Sequence, residues 1–260
     1  GFWHWLKFTV GEPPVLFSQV DMEYNRSVLQ NFSENNGYFN TKTEADSTKS
    51  GKKAKVKYAI TLGKPYLIDS VNTTIATPVL DSLYQTAKTN SFIKIGTQYK
   101  TEDFENEKNR ITTHFRNSGA YHFQPNNITF DIDTINKKNK ATIDLKISNH
   151  SYQEQDATKI EPFKLLRISE VKIFTDYSAA DANAKITDSV SFNNFSLYSR
   201  TKLRYKPYAI TNAVFITKGG LFADTKTNLT SRYLSNLKIF NYPSIIYEID
   251  KRDSTAQSLI

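Results

Sequence analysis

The sequence predicts an α+β fold made of tandem copies of one unit, each running strand, helix, helix, strand, strand. Three observations predict it. A Gly-x-x-aromatic spacing recurs, as Gly96 to Tyr99 and again as Gly219 to Phe222. Each is followed by a stretch with helical period, then by a second glycine or aromatic stop and alternating strand patterns. The chain of 260 residues is also poor in apolar side chains, 38% with its 15 Tyr included. Leaving out the 15 Tyr and counting the 9 Gly brings this to roughly 36%, against ~45–50% in ordinary domains. That suits several small domains with thin cores better than one large globule, and the length itself fits two or three domains.

The elements follow in chain order. In the first unit (1–64), Gly11 takes the place of Gly96, and Tyr24, Val28, Leu29 and Phe32 mark the helix. Gly37-Tyr38-Phe39 closes it, and a hairpin pairs Phe39–Thr43 with Ala54–Leu62. The first strand and helix of this unit are missing or lie upstream, and Phe2, Trp3, Trp5 and Phe8 read as a helical remnant of them. The chain therefore reads as a piece of something longer.

The second unit (65–150) opens with a strand, Tyr66–Ile75. A helix with Pro near its first turn follows over Pro78–Thr89, carrying Val79, Leu80, Leu83, Tyr84 and Ala87. Thr101 is a candidate N-cap for the next helix. That helix sets Phe104, Ile111 and Phe115 on one face. Gly119 follows as a left-handed stop. Ile128, Phe130 and Ile132 alternate with Thr129, Asp131 and Asp133, and Ile143, Leu145 and Ile147 alternate again.

Residues 151–162 read as a polar linker. The third unit (163–260) has a strand at Leu166–Phe174, an insertion at 175–206 and a helix over Pro207–Ile216. A capped helix with Leu229, Tyr233, Leu234 and Leu237 comes next. Phe240, a strand over Ser244–Ile249 and a last strand cut short complete the unit.

Charge and motifs exclude several classes. The net charge is +8, yet the 34 basic residues divide into 26 Lys and 8 Arg. Nucleic-acid recognition leans on the guanidinium fork. The Lys49–Lys57 and Lys137–Lys140 runs sit where hairpins turn and read first as solvated tips. Zero Cys removes disulfides, thiol catalysis and cysteine zinc sites. His4, His114, His122 and His150 show no metal-ligand spacing, and Asp131-x-Asp133 lacks the rest of a calcium loop. No P-loop, dinucleotide or nucleophile-elbow motif occurs. No apolar run is long enough for a membrane helix, and no secretory signal opens the chain. The sequence therefore predicts no enzyme, no metal and no cofactor.

The ordered recurrence of Gly-x-x-aromatic (Gly96/Tyr99, Gly219/Phe222) and of the stops at Gly37-Tyr38-Phe39, Gly119/Tyr121 and Phe240 resembles polypeptide-transport-associated (POTRA) domains. The junction Gly63-Lys64-Pro65-Tyr66 is similar to those of the BamA/TamA superfamily. Gly11–Leu16 and the Lys- and Asn-rich composition most resemble its TamA-like (TamL) members from Bacteroidota. The third unit departs from the pattern, with Leu237-Lys238-Ile239-Phe240 where Gly is common.

The resemblance implies the periplasmic side of the outer membrane and attachment through a C-terminal barrel absent from this chain. It implies binding of unfolded outer-membrane proteins or lipoproteins, and of TamB-like or periplasmic partner subunits, without nucleic acid. It puts the last strand of each unit between the other two. The second strands, Ile128, Thr129, Phe130, Asp131, Ile132, Asp133 and Ser244, Ile245, Ile246, Tyr247, are then open edges for an added strand. Short Gly63-Lys64-Pro65 predicts a stiff junction, and the bridge ending at Pro162 predicts a hinge. Two other classes fit less well: a cell-division-like envelope adaptor and a surface carbohydrate-binding module.

Overall fold

The structure, a computed structural model, describes residues 15–135, 138–155, 157–177, 184–240, 242–255 and 257–260. Gly11, Phe2, Trp3, Trp5, Phe8 and Lys137 lie outside the described residues. The class is α+β. The chain forms two compact units. One is Gly1–Asn72 with Phe92–Glu105 and Asp131–Asp144; the other is Thr73–Ser91 with Asn106–Phe130 and Leu145–Ile260.

Among the described residues, the longer elements run from helix α1 (Met22–Asn35) through strands β1 (Lys42–Ser50), β2 (Lys53–Thr61) and β3 (Leu67–Ile75) to helices α2 (Pro78–Ala87) and α3 (Thr101–Asn117). Strands β4 (Ile128–Asp133) and β5 (Lys140–Ile147) follow. The division between the two compact units passes through β3, α3, β4 and β5.

In the first unit, Asp21 caps α1, its Oδ1 accepting from Tyr24 N–H at 2.9 Å. β1 and β2 pair antiparallel over nine rungs, from Lys42–Thr61 to Ser50–Lys53, around Gly51 at φ +59°. α1 meets the hairpin face that carries Thr43 and Tyr58. Thr43 Oγ1 donates to Gln30 Oε1 at 3.1 Å, and Asn25 Nδ2 donates to Tyr58 Oη at 3.1 Å. Alternation then sends Lys53, Lys55 and Lys57 to the opposite, exposed face.

β3, β5 and β4 form a three-stranded sheet with β5 in the middle, the order that the resemblance implies. Ala141, Ile143, Leu145 and Ile147 of β5 are all buried, as a central strand requires. The core of the second unit gathers Leu80 and Tyr84 from α2, Ile111 and Phe115 from α3, and Ile128, Leu145, Ile147, Phe123 and Phe163. Arg110 pairs with fully buried Glu107 at 2.7 Å and donates to Ala87 O at 3.0 Å, closing the end of α2. His114 is half-buried, its Nε2 3.1 Å from Leu83 O, so it belongs to the helix–helix contact and not to the surface.

The remaining elements are β6 (His150–Glu154), β7 (Ala157–Glu161), β8 (Arg167–Ile168), β9 (Val171–Phe174), β10 (Asp188–Phe192), β11 (Phe195–Ser199), α4 (Pro207–Thr211), α5 (Asp224–Asn236) and β12 (Ser258–Leu259). Several differ from the sequence reading. Residues 151–162 are no plain linker: β6 and β7 pair from His150–Glu161 to Glu154–Ala157. Gln155, at φ +55°, makes the turn. Polar composition hid the strand alternation there.

The strand expected over Leu166–Phe174 is broken at Ser169. Its Oγ donates to Asp250 Oδ2 at 2.8 Å, and its N–H bonds Leu259 O at 2.8 Å. β8 on one side pairs in parallel with β12. β9 on the other joins the insertion, in a separate sheet ordered β10-β11-β9. Asp176 fastens this sheet by accepting from Ser199 Oγ and from the N–H groups of Arg200 and Thr201.

The helix expected over Pro207–Ile216 stops at Thr211. Bulky Val214, Phe215 and Ile216 continue it poorly, and Phe215 N–H is taken by Thr230 Oγ1 at 2.9 Å. The strand expected over Ser244–Ile249 has its one bridge at Ile249, to Leu259. Glu248 and Ile260 exchange both backbone hydrogen bonds, at 3.0 and 2.8 Å. The sequence alternation itself holds: Ile245, Tyr247 and Ile249 pack on the core, while Ile246 is 71% exposed.

One feature of the second unit is sensitive to acid. The His122 and His150 rings stack at 4.7 Å and 20°, with Tyr152 and Phe163 also against His150. Burial holds both imidazoles below their ordinary value of 6.5; for His122 the nearby His150 and Arg116 add to this. Glu161, 3.9 Å from His150 Nδ1, opposes it. The unfolded chain therefore takes up protons more readily than the folded one. Stability is level above about pH 6.5 and falls as pH drops below that through the depressed folded values. Denaturation midpoints between pH 5 and pH 8 should show this fall, and His122→Gln with His150→Gln should flatten it.

Candidate functional site

Two features of the fold bear on function: the edge strands of the central sheet, and a set of bonds that occurs twice. The edges come first. With β5 in the middle, β3 and β4 are both edge strands. They are not equivalent. The start of β3 is already paired on its outer side. Ile68 N–H donates to Thr97 O at 2.9 Å, and Gly96 N–H donates to Ile68 O at 2.7 Å. Along β4, Ile128 is buried and Phe130 half-buried, while Thr129, Asp131, Ile132 and Asp133 are exposed. The far end of β4 thus leaves the core and presents polar and apolar side chains together. Of the two predicted edge strands, β4 lies at the edge of a three-stranded sheet, and Ser244, Ile245, Ile246 and Tyr247 carry no strand assignment.

The recurring bonds join the end of one long helix to the start of the next repeat. In the first unit, Gly37 sits beyond α1 at φ +83°, and its carbonyl accepts Tyr66 N–H at 2.8 Å. In the second, Gly119 sits beyond α3 at φ +104°, and its carbonyl accepts Leu166 N–H at 2.8 Å. The next strand residues close a second tier. Tyr66 O accepts Tyr99 N–H at 2.9 Å, as Leu166 O accepts Phe222 N–H at 2.9 Å. Ile68 O accepts Gly96 N–H at 2.7 Å, as Ile168 O accepts Gly219 N–H at 2.6 Å.

Gly96 and Gly219 have φ of +83° and +81°, so both Gly-x-x-aromatic turns are left-handed at the same point. The rings repeat too. Phe39 lies 5.0 Å from both Tyr66 and Tyr99, and Tyr121 lies 4.9 Å from Phe222. Tyr38 is half-buried beside this cluster. The glycines and aromatics that the sequence singles out are therefore joint residues.

Each joint has further partners that spacing alone did not mark. Asn35 Oδ1 accepts from Thr101 Oγ1 at 3.2 Å, and Asn117 Oδ1 accepts from Thr225 N–H at 2.9 Å. Asn35 and Asn117 stand two residues before their glycines, and this could have been noticed. The second joint adds a hub of its own. Arg116 Nε and Nη2 grip Asp224 at 2.5 and 2.9 Å, and Nη1 donates to Tyr121 O and Phe123 O. The guanidinium also lies 5.3 Å from the Phe222 ring centroid. Both side chains are partly screened from water, at 19% and 35% exposure, which favours charge-assisted bonds.

Of the predicted junction and hinge residues, Gly63 and Pro65 lie between β2 and β3. A Cβ on Gly63 would meet Asn40 Cβ at 3.0 Å. Pro162 is followed at once by Phe163, buried in the core with its N–H on Thr77 Oγ1 at 3.0 Å. Phe240 packs on Tyr205 at 5.9 Å, two residues after Lys238. Lys238 takes φ +55° where the other repeats have glycine. Among the described residues no group of three or more His, Asp or Glu is placed to hold a metal ion, and no helix is long and apolar enough to cross a membrane.

No family model and no curated protein matches the chain. Solved structures do. POTRA domains 3–5 of BamA from Haemophilus influenzae match at 11% identity, over 92% of this chain and 78% of that one, with TM-score 0.47. The N-terminal domain of Omp85 from Thermosynechococcus elongatus matches at 11% identity over 94% and 81%, with TM-score 0.29. POTRA domains 1–3 of Omp85 from Anabaena match at 11% identity over 95% and 88%, with TM-score 0.28.

The joint glycines differ in what a side chain would meet. A Cβ on Gly37 would fall 2.7 Å from Tyr99 O, and one on Gly119 3.0 Å from Leu221 Cδ2 and 3.2 Å from Leu165 Cβ. Gly96 and Gly219 have nothing within 4 Å. Alanine at Gly96 or Gly219 should therefore cost only the left-handed backbone term, about 1–2 kcal/mol. Gly37→Ala should cost clearly more, because a backbone oxygen must move. Chemical denaturation of the four single variants checks the order.

Proposed function

We propose that this chain is the periplasmic arm of an outer-membrane β-barrel assembly or translocation protein of the BamA/TamA superfamily. Its nearest kin in this reading are the TamA-like members of Bacteroidota. Three POTRA repeats (1–64, 65–150 and 163–260) would hold partner subunits and unfolded barrel proteins or lipoproteins under a C-terminal barrel. The observation that carries the reading is the sheet order β3-β5-β4, which leaves β4 as an edge. An extended client adds to such an edge through backbone hydrogen bonds, and these tolerate many side-chain sequences. A protein that handles many unfolded clients needs that tolerance. The motif resemblance, and the recurrence of its glycines and aromatics in two joints of the same kind, support the family reading.

TamB-like inner-membrane-anchored subunits are the partners that this reading favours. No residue of the proposed site is catalytic: the work is binding and positioning.

Proline scanning through Thr129, Phe130, Asp131 and Ile132 tests the edge. Proline removes one N–H, so positions facing β5 should unfold the sheet and the alternate positions should not. Among the folded variants, crosslinking of an unfolded outer-membrane protein to the full-length protein should drop at least fivefold. Unchanged crosslinking and unchanged assembly in those variants would sink the edge-binding role.

A further inference from the structure

We infer that the tip of the β1–β2 hairpin, with the exposed residues just before α1, is a docking surface for an anionic lipid bilayer. This goes beyond the strand-binding reading and does not rest on it.

The hairpin separates its charges by position. Its base (42–46 with 57–61) sets Lys42 and Lys57 against Glu44 and Asp46. Its distal half, 47–56, carries Lys49, Lys52, Lys53 and Lys55 and no acid. The cross-strand partners of Lys53, Lys55 and Lys49 are Ser50, Thr48 and Ala54, none of which can neutralise them. All four lysines are exposed, and among the described residues none is in an ion pair. Lys140, in the other lysine run, is paired with Asp69 at 2.7 Å. A simple solvated turn does not require the acids to be sorted away from the tip.

The second observation is apolar. Lys49 Nζ lies 4.6 Å from the centroid of the Phe17 ring, which ties Phe17 to the distal half of the hairpin. Val15 and Leu16, directly before it, are 77% and 58% exposed. Phosphates attract the lysines, and the two aliphatic side chains can enter the boundary between headgroups and acyl chains. Stable attachment to a membrane surface takes two such signals together. The ladder sets Lys53 and Lys55 ~6.8 Å apart on one face, with Lys49 on the other face and Lys52 in the turn, so the positive charge surrounds the tip. The ladder holds the backbone of the tip in place before docking. Lysine suits this role, since it acts as a point charge and needs no bidentate geometry.

The test is sedimentation of this 260-residue chain with vesicles. Phosphatidylglycerol mixed with phosphatidylcholine is the anionic surface, and pure phosphatidylcholine the neutral one. Binding to the anionic vesicles only, lost in high salt, is the expected result. Lys49→Gln, Lys52→Gln, Lys53→Gln and Lys55→Gln together should weaken it roughly 10²–10³-fold. Val15→Ser with Leu16→Ser should weaken it less and keep the preference for anionic vesicles. Equal binding to neutral vesicles overturns the inference, as does an unchanged quadruple variant of intact fold by circular dichroism. Displacement from vesicles by duplex DNA at matched phosphate concentration overturns it too, by showing a general polyanion site.

Discussion

The structure depends on one backbone hydrogen bond, made twice. A long helix ends on a glycine in the left-handed region, and that turn points its carbonyl at the first N–H of the next repeat. Gly37 does this for Tyr66 and Gly119 for Leu166, each at 2.8 Å. Without the left-handed turn the carbonyl would follow the helix axis and miss. Without the bond, a donor and an acceptor near the core would lie idle, at about 1–3 kcal/mol for each unsatisfied group. The second-tier bonds to Tyr99 and Phe222 then fix how the following Gly-x-x-aromatic turn meets the strand. The same geometry explains the ring pairs, since the residue two after each glycine is carried onto the incoming aromatic.

This accounts for what the sequence made legible. Glycines in forced conformations and aromatics in tight ring contacts are the residues that simple spacing detects, and here both lie at joints. The helix faces of α3 and the alternation of β5 were legible for the same reason, because burial repeats with a fixed period. What was hidden depends on pairing over long distances. Nothing local in Ser169 says that its hydroxyl will meet Asp250, which lies 81 residues on, and that bond decides where the strand breaks. β6 and β7 are made of polar residues whose alternation carries no apolar signal. Lys238 is a left-handed stop built without the glycine that would announce it.

The candidate site was legible in part. β4 is the edge that the resemblance implied, and the reason is topological: β5 has both neighbours. That β3 is the lesser edge could not be read, because it follows from the Gly96 turn folding back onto Ile68. The hinge reading rested on length and polarity. The structure puts other forces there: a hairpin, a buried Phe163 and the Arg116 hub. Arg116 uses four donors on Asp224 and two carbonyls of its own loop, and it stands beside the Phe222 ring. A lysine there would keep the charge and lose the fork. Separation at this joint would leave Asp224 and two carbonyls without partners together, a cost that grows with every group exposed at once.

The net charge of +8 divides along similar lines. A lysine whose carboxylate lies within one rung contributes to local packing and little to the field at a distance. Lys140 beside Asp69 is of this kind. Four lysines at a hairpin end without an acid among them superpose their potentials, and the low dielectric of a membrane face would strengthen that sum. Lys140 and the four hairpin lysines thus differ in what stands beside them. The difference follows from strand register, which sets Ser50, Thr48 and Ala54 across from Lys53, Lys55 and Lys49. Shifting that register by one residue would swap the faces and set other side chains across from each lysine. The ladder that shapes the hairpin therefore also decides that its positive charge faces outward.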